Sequence, residues 1–379
     1  MKITEVRVET FRYTSDKAKD IQGHAHPADP HDALQSLLTI ETDDGVCGYS
    51  FGEEVGMAQG LARPLLLGEN PFYRERIWQN LYQRQRDGST LSDRGLDVID
   101  QALWDLAGRA LDQPVYRLLG AFRDKVPAYG STMCGDDMDG GLNTPQAYAD
   151  FALQLVARGY KAIKLHTWNT PIPGAPDVRS DVAPCAAVRE AVGPEITLML
   201  DPFHYYTRQD ALQLGRELER LDFYWLEEPM DEASVSSYIW LTEQLDLQIC
   251  GPETAKGGLR TRAEWMLRNA ADISRVGTQD VGGLTPTMKI YHLAEAFGMQ
   301  CESHGNGVGN LHALCATSVA GKYHERGLLH PFIDYETPPP WLNALPDPMD
   351  DEGMVTVPQG PGLGLDINFD YIRDNLVSS

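Results

Sequence analysis

Basic residues are in short supply. The 379-residue chain has 32 Lys and Arg against 55 Asp and Glu, a formal charge of −23 at pH 7. Without a basic stripe to displace counterions, nucleic acid is a poor partner. An anionic substrate must then be received by a local positive centre, such as a metal cation or a lysine. Long apolar runs are missing too, so nothing in the sequence reads as a bilayer span. Met1-Lys2-Ile3-Thr4-Glu5-Val6 begins as a polar/apolar strand, without the apolar stretch of a secretion signal, and a cytoplasmic protein is expected. The six cysteines (Cys47, Cys134, Cys185, Cys250, Cys301, Cys315) stand far apart, with no CxxC or comparable ligand spacing. They are expected to be reduced core residues, neither disulfides nor zinc ligands. What remains is a globular composition, 42% apolar and 23% charged, long enough for about two domains.

The most informative feature present is a repeat of carboxylates. Ile196-Thr197-Leu198-Met199-Leu200 closes on Asp201, Phe223-Tyr224-Trp225-Leu226 on Glu227, and Leu247-Gln248-Ile249-Cys250-Gly251-Pro252 on Glu253, 26 residues apart each time. A helix-sized stretch separates each pair. The same alternation runs from Lys125 onward. Strands are expected at Val126-Ser131, Lys161-His166, Ile196-Asp201, Phe223-Glu227, Leu247-Pro252, Ile273-Gly277, Met299-Ser303 and, more weakly, near Leu328-Leu329. Helices fill the gaps at Pro145-Arg158, Ala183-Val192, Arg208-Arg220, Ser234-Gln244, Arg262-Asn269, Thr285-Phe297 and Leu311-Gly321. Eight βα units of this size close into a (β/α)8 barrel. An open doubly wound sheet would normally carry a Gly-rich phosphate turn after its first strand, and none is present.

The part before the barrel reads as a smaller α+β unit. Asp43-Asp44-Gly45 is a hairpin turn between two strands, and Leu96, Ile99, Leu103, Leu106 and Ala110 mark one face of a helix stopped by Gln113-Pro114. Ser15 to His31, polar and carrying His24, His26 and His31, reads as a long loop, either a substrate-facing lid or a solvated connection. The tail is too short for a domain of its own and is expected to return to this unit. The division is therefore 1–124 with 338–379 as a capping domain, and 125–337 as the barrel.

In such a barrel the reactive groups sit at the C-terminal ends of the strands, where Asp201, Glu227 and Glu253 fall on consecutive strands. Three carboxylates that close cannot all stay ionised without a cation, and an all-oxygen site points to Mg²⁺, or Mn²⁺, over zinc. Helix N-capping is the alternative, which Asp serves well and Glu poorly. One strand earlier, period-two alternation puts Lys164 and His166 on the face opposite Ile163 and Leu165. If the apolar pair meets the outer helices, Lys164 and His166 point into the mouth. Across the ring, Cys301-Glu302-Ser303-His304 brings a second imidazole to the other side. His204 follows Asp201 by three residues and can also line the site, Pro202 leaving its direction open.

With these residues in place the sequence resembles the enolase superfamily, closest to its mandelate racemase/muconate lactonizing enzyme group, nearly end to end. Ala102-Leu103-Trp104-Asp105-Leu106-Ala107-Gly108 and Pro114-Val115-Tyr116-Arg117-Leu118-Leu119-Gly120 look like that family's domain junction. Trp225-Leu226-Glu227-Glu228-Pro229 looks like its fourth-strand ligand motif, and Val281-Gly282-Gly283-Leu284-Thr285 and Gly360-Pro361-Gly362-Leu363-Gly364 match its later motifs. The resemblance implies a modified TIM-type (β/α)8 barrel under an α+β cap, with His24 and His26 on the cap's loop. It also implies removal of the proton α to a carboxylate, giving an enediolate held by Mg²⁺, and a homo-oligomer. Two departures stand out. The family's usual Lys-x-Lys is Lys164-x-His166 here, which makes His166 the candidate base and Lys164 the group holding the substrate carboxylate. The usual sixth-strand Asp aligns with Gly277, so His304 either borrows Asp280 or lacks a carboxylate partner, and a less basic His304 would suit a general acid.

The expected function is that of a lyase: Mg²⁺-dependent dehydration of a sugar acid, an aldonate or aldarate, to a 2-keto-3-deoxy acid. Racemisation or epimerisation at the α-carbon, with His166 and His304 as bases on opposite faces, is the alternative. A catalytically inactive enolase-like binding protein is the alternative from another class.

Overall fold

A computed structural model describes residues 1–379 apart from 20–23, 53–54, 88–90, 169–176, 319–320 and 379. The chain opens with three antiparallel strands, β1 (Ile3–Lys19), β2 (Ala25–Thr42) and β3 (Cys47–Phe51). Four helices follow: α1 (Val55–Leu66), α2 (Arg74–Gln83), α3 (Asp93–Leu111) and α4 (Val115–Leu119). In α3 the Ser92 side chain accepts from Gly95 N–H, and Asp112 closes the far end in the left-handed region. Its Leu96, Ile99, Leu103 and Leu106 are fully buried against β1–β3 and α1, the stripe that the spacing predicts.

The loop expected from Ser15 to His31 is instead a continuation of the hairpin. Ser15 pairs with His31, Lys17 with Pro27, Ala18 with His26 and Lys19 with Ala25. The ladder needs only backbone groups, and this part of the hairpin extends past the apolar core, so no alternation of side chains betrays it. Its tip, 20–23, lies outside the described residues.

The barrel runs β4 (Lys125–Thr132), α5 (Pro145–Ala157), β5 (Ala162–Leu165), α6 (Val178–Val192), β6 (Thr197–Leu200), α7 (Arg208–Arg220), β7 (Trp225–Glu227) and α8 (Val235–Thr242). It continues with β8 (Gln248–Cys250), α9 (Gly258–Leu267), β9 (Ile273–Val276), α10 (Thr278–Val281), α11 (Leu284–Phe297), β10 (Gln300–Ser303), α12 (Val308–Leu314) and β11 (His324–Leu329). The strands are parallel and ordered as in sequence, with β11 returning beside β4. Among the described residues no ladder joins β10 to β11. Side chains span that gap: Gly305 N–H donates to Glu325 Oε2 at 2.7 Å, Asn306 Nδ2 to Gly327 O at 2.8 Å and Lys322 N–H to Glu302 Oε1 at 2.8 Å. Ile163, Leu165, Leu198, Leu200, Leu226 and Ile249 face the outer helices and form the main core. Interior positions are mixed, with Tyr129, Met199 and Trp225 beside charged groups.

The tail joins both parts. β12 (Met354–Thr356) pairs antiparallel with β4, and after α13 (Phe369–Asp374) the strand β13 (Leu376–Ser378) pairs with β1. Two glycines allow α3 to seat on the rest. Gly283 (φ +121°) lies so close to Asp100 that a Cβ would come within 2.4 Å of its carboxylate, which accepts from Thr285 N–H and Oγ1. Gly362 (φ +74°) is held equally close to Asp105, whose Oδ1 accepts from Leu363 N–H at 2.7 Å.

Candidate active site

The three strand-end carboxylates converge. Asp201, Glu227 and Glu253 are buried, and one oxygen from each lies within 4.8 Å of the others. Each is placed by its own backbone. Asp201 N–H donates to Leu165 O across the ladder, and Phe203 N–H donates to Asp201 Oδ1 at 3.0 Å. Glu227 ends β7 and takes the Trp225 indole N–H on Oε2 at 3.0 Å. The loop after β8 wraps around the buried Glu232 carboxylate, which accepts from the N–H groups of Glu253, Thr254 and Ala255.

Lys164 points inward from β5, as Ile163 and Leu165 point out. Its Nζ lies 3.1 Å from Glu227, 3.2 Å from Glu325 and 3.8 Å from Asp201. Burial opposes its charge, but Glu227 and Glu325 overcome that cost and hold its pKa well above the ordinary lysine value. His166 faces the same way. Its Nδ1 lies 2.6 Å from Thr132 O, an acceptor only, so Nδ1 carries the hydrogen. Nε2 lies 3.1 Å from Asp201 Oδ2, also an acceptor, so a hydrogen on Nε2 is donated to that carboxylate, and it is the one this imidazole can exchange.

His304 enters from the opposite side. Its Nδ1 is 2.6 Å from Asp280 Oδ2 and its Nε2 is 3.1 Å from Glu253 Oε1. Asp280 thus supplies the carboxylate partner, carried by the short α10 that follows β9. Burial disfavours the imidazolium, but Glu253 and Asp280 outweigh it and raise the His304 pKa to about 9. Of the two alternatives left by the missing sixth-strand Asp, the structure has His304 paired with Asp280, so the less basic imidazole that an unpartnered His304 would give is not the one seen. Glu253 also binds its proton more tightly than a free carboxyl does, through burial and the nearby Glu227. We assign the shared proton to His304, which has a second carboxylate on its ring.

Three groups escaped the sequence reading. Arg275, fully buried on β9, reaches Glu227 at 2.9 Å, Glu325 at 3.1 Å and Glu253 at 3.5 Å. Glu325 on β11 completes the interior network and is held well below the usual carboxylate range, since Lys164 and Arg275 overcome its burial. Glu228 sits beside the triad at φ +28°, and its Oε2 has no hydrogen-bond partner among the described residues. A charged residue inside a short strand that begins and ends on apolar residues, as in Ile273-Ser274-Arg275-Val276, was the available signal. On β11 the charged run His324-Glu325-Arg326 hid the first half of the strand, which the sequence placed only near Leu328-Leu329.

Glu228, like Glu253, has its pKa pushed well above the usual range, by burial and by the Glu253 and Asp201 carboxylates. The cluster thus holds more acid groups than Lys164 and Arg275 can pair, and a divalent cation among the triad oxygens would supply the missing charge. Above it lies a cavity of about 860 Å³ lined by Lys164, His166, His304, Asp280, His24 and His204, with Lys17, Lys19 and Arg94 from the cap side. His204 is more exposed, its Nδ1 4.0 Å from Glu228 Oε1. His24 packs edge-on to Phe203 and Trp168. His26 does not line the cavity; it lies 3.6 Å from Cys134, which does.

Comparison with known proteins agrees with this arrangement. Residues 147–371 match the enolase C-terminal domain-like family, and residues 28–120 match the mandelate racemase/muconate lactonizing enzyme N-terminal domain. The chain belongs to the mandelate racemase/muconate lactonizing enzyme group of the enolase superfamily. Within it, the crystal structure of D-glucarate dehydratase from Agrobacterium tumefaciens complexed with magnesium is similar over 100% of both chains, with 54% identity and a TM-score of 0.97. Arabinonate dehydratase from Saccharolobus solfataricus is 30% identical over 356 residues, 86% of this chain and 87% of its own. D-galactarolactone cycloisomerase from Agrobacterium fabrum is 30% identical over 392 residues, 99% of this chain and 98% of its own. The fold of that superfamily, a modified barrel under an antiparallel cap, is the one seen here. No helix among the described residues is long and apolar enough to cross a membrane.

Proposed function

We propose that the chain is a hydro-lyase that dehydrates a sugar acid to a 2-keto-3-deoxy acid with Mg²⁺, and that an aldarate such as D-glucarate is its substrate. The observation that carries this reading is a proton-exchanging imidazole on either side of one carboxylate cluster, His166 from β5 and the His304–Asp280 pair from β10 and α10. Full-length similarity at 54% identity to a magnesium-bound D-glucarate dehydratase supports it.

Asp201, Glu227 and Glu253 would hold the cation, which would neutralise negative charge growing on the substrate carboxylate as the α-carbon loses its proton. Lys164 Nζ holds the same carboxylate from the other side. His166 Nε2 takes the α-proton, its tautomer fixed by Thr132 O. The electron pair returns to expel the β-hydroxyl, to which His304 delivers its proton, so that water leaves. The enol that remains tautomerises to the keto acid. Asp280 on the Nδ1 side of the ring favours the imidazolium that this step requires.

The cap (1–124 with 338–379) would close over the barrel (125–337) and exclude water from the reacting carbon. A homo-oligomer and a cytoplasmic setting belong to the same reading. The test is incubation of the protein and Mg²⁺ with a panel of acid sugars in D₂O. Keto-acid formation from an aldarate is the expected result. Deuterium exchange at the α-carbon without loss of water would favour the racemase/epimerase reading, and neither reaction with any acid sugar would overturn both.

A further inference from the structure

β5 and β6 end on Leu165 and Leu200, one residue short of His166 and Asp201. His166 is therefore held largely by side chains. Its N–H donates to Thr132 Oγ1 at 3.2 Å, and its carbonyl accepts from Tyr148 OH at 2.8 Å. The next residue, Thr167, is buried and donates its hydroxyl to Asp181 Oδ1 at 2.6 Å. The other oxygen of Asp181 accepts from Tyr206 OH, in the loop that starts with Asp201 and carries His204. One carboxylate, 2% exposed on α6, thus grips the segment behind the base and the segment behind a triad carboxylate. Burial pushes the Asp181 pKa up to about 6, so at pH 8 it is ionised and accepts on both oxygens. Helix capping does not account for it, because Asp177 already caps α6 by accepting from Ser180 N–H at 3.0 Å. A carboxylate is costly to bury, and the two hydroxyls that compensate this one come from different loops.

We infer that Asp181 is a positioning residue, which sets where His166 stands relative to the Asp201 end of the carboxylate triad by fastening Thr167 and Tyr206 together. That role rests on the sugar-acid reading above, in which His166 takes the α-proton of a substrate held beside the triad. The base must then meet a carbon whose place is fixed from the Asp201 side, and His166 Nε2 lies 3.1 Å from Asp201 Oδ2. A slip of one loop against the other misaligns base and carbon while leaving every reacting group present. Misplacement by about 1 Å can cost roughly 100-fold in rate. The clip can be opened from either side with little change of shape, since valine replaces Thr167 and phenylalanine replaces Tyr206 with loss of the hydroxyl alone.

Thr167→Val is expected to lower kcat about 10- to 100-fold on the sugar acid that the wild type dehydrates, with KM little changed. Thr167→Ser, which keeps the hydroxyl, should restore kcat. Tyr206→Phe should act like Thr167→Val, and the double variant should be no slower than the slower single one, because both changes open the same clip. A purely structural role would lower the unfolding temperature of each variant, leave the folded fraction fully active, and add in the double. A readout without turnover follows the His166 ring resonance, identified by its absence from the His166→Asn spectrum. In Mg²⁺-loaded protein it should shift in Thr167→Val and in Tyr206→Phe, and return to its wild-type place in Thr167→Ser. Wild-type kcat in Thr167→Val, an unmoved resonance, or losses that multiply in the double variant would overturn the role of Asp181 alone. Failure of the wild type to act on any acid sugar would overturn the sugar-acid reading and this role with it.

Discussion

His304 shows how far neighbours can set the chemistry of one residue. An unpaired imidazole titrates near pH 6.5, whereas Glu253 and Asp280 hold this one at about 9 against the cost of burial. Because the folded value lies above the unfolded one, the stability it contributes is complete below pH 6.5 and is lost as pH rises through about 9. In protein stripped of metal with EDTA, the unfolding temperature should therefore fall across that window. Asp280→Asn should flatten the fall, removing on the order of 1–2 kcal/mol of the pH-dependent stability, as thermal melts of the two proteins between pH 6 and 10 would show. The same variant should dehydrate more slowly at pH 8, having less imidazolium to protonate the leaving hydroxyl.

At the scale of elements, α3 carries an unusual load. It is the central helix of the cap, and along its barrel-facing side it buries Asp97, Asp100 and Asp105. Asp100 and Asp105 are used as acceptors for the backbone of the two glycine motifs. Asp97 is tied to Gln101 Nε2 at 2.9 Å, and burial raises its pKa to about 7. A raised carboxyl stabilises the fold only while it is protonated, so this contribution is lost as pH climbs from about 4 to about 7. Asp97→Asn should stabilise the protein by roughly 1–3 kcal/mol at pH 8 and by almost nothing at pH 4. Urea denaturation at the two pH values measures the difference. The glycine motifs themselves were visible in sequence; that both serve to seat one helix was not.

At the scale of the molecule, a small part of the excess of acid serves the site. A chain of formal charge −23 places a carboxylate cluster at its barrel mouth and leaves part of it uncompensated by Lys164 and Arg275. A bound cation then stabilises the fold as well as the reaction. Adding MgCl₂ to the EDTA-treated protein should raise its unfolding temperature, with about 2.7 kcal/mol gained at one hundred times Kd. Glu227→Gln should abolish most of that response, since Glu227 stands at the centre of the triad and takes both Lys164 and Arg275.

The sequence by itself determined the order of strands and helices, because alternation and apolar runs are imposed by the local chain. It also determined the carboxylate triad and the inward face of β5, which follow from strand ends and period two. Only the tertiary structure decided which residues meet across the ring. The choice between Asp280 and no partner for His304 was made, and Arg275 was joined to Glu325 and Glu227 and His24 to Trp168, only once the barrel had closed and the hairpin lay over it. Those contacts join residues from 24 to 144 positions apart. They depend on the path of the backbone through space, and no local pattern of side chains records it.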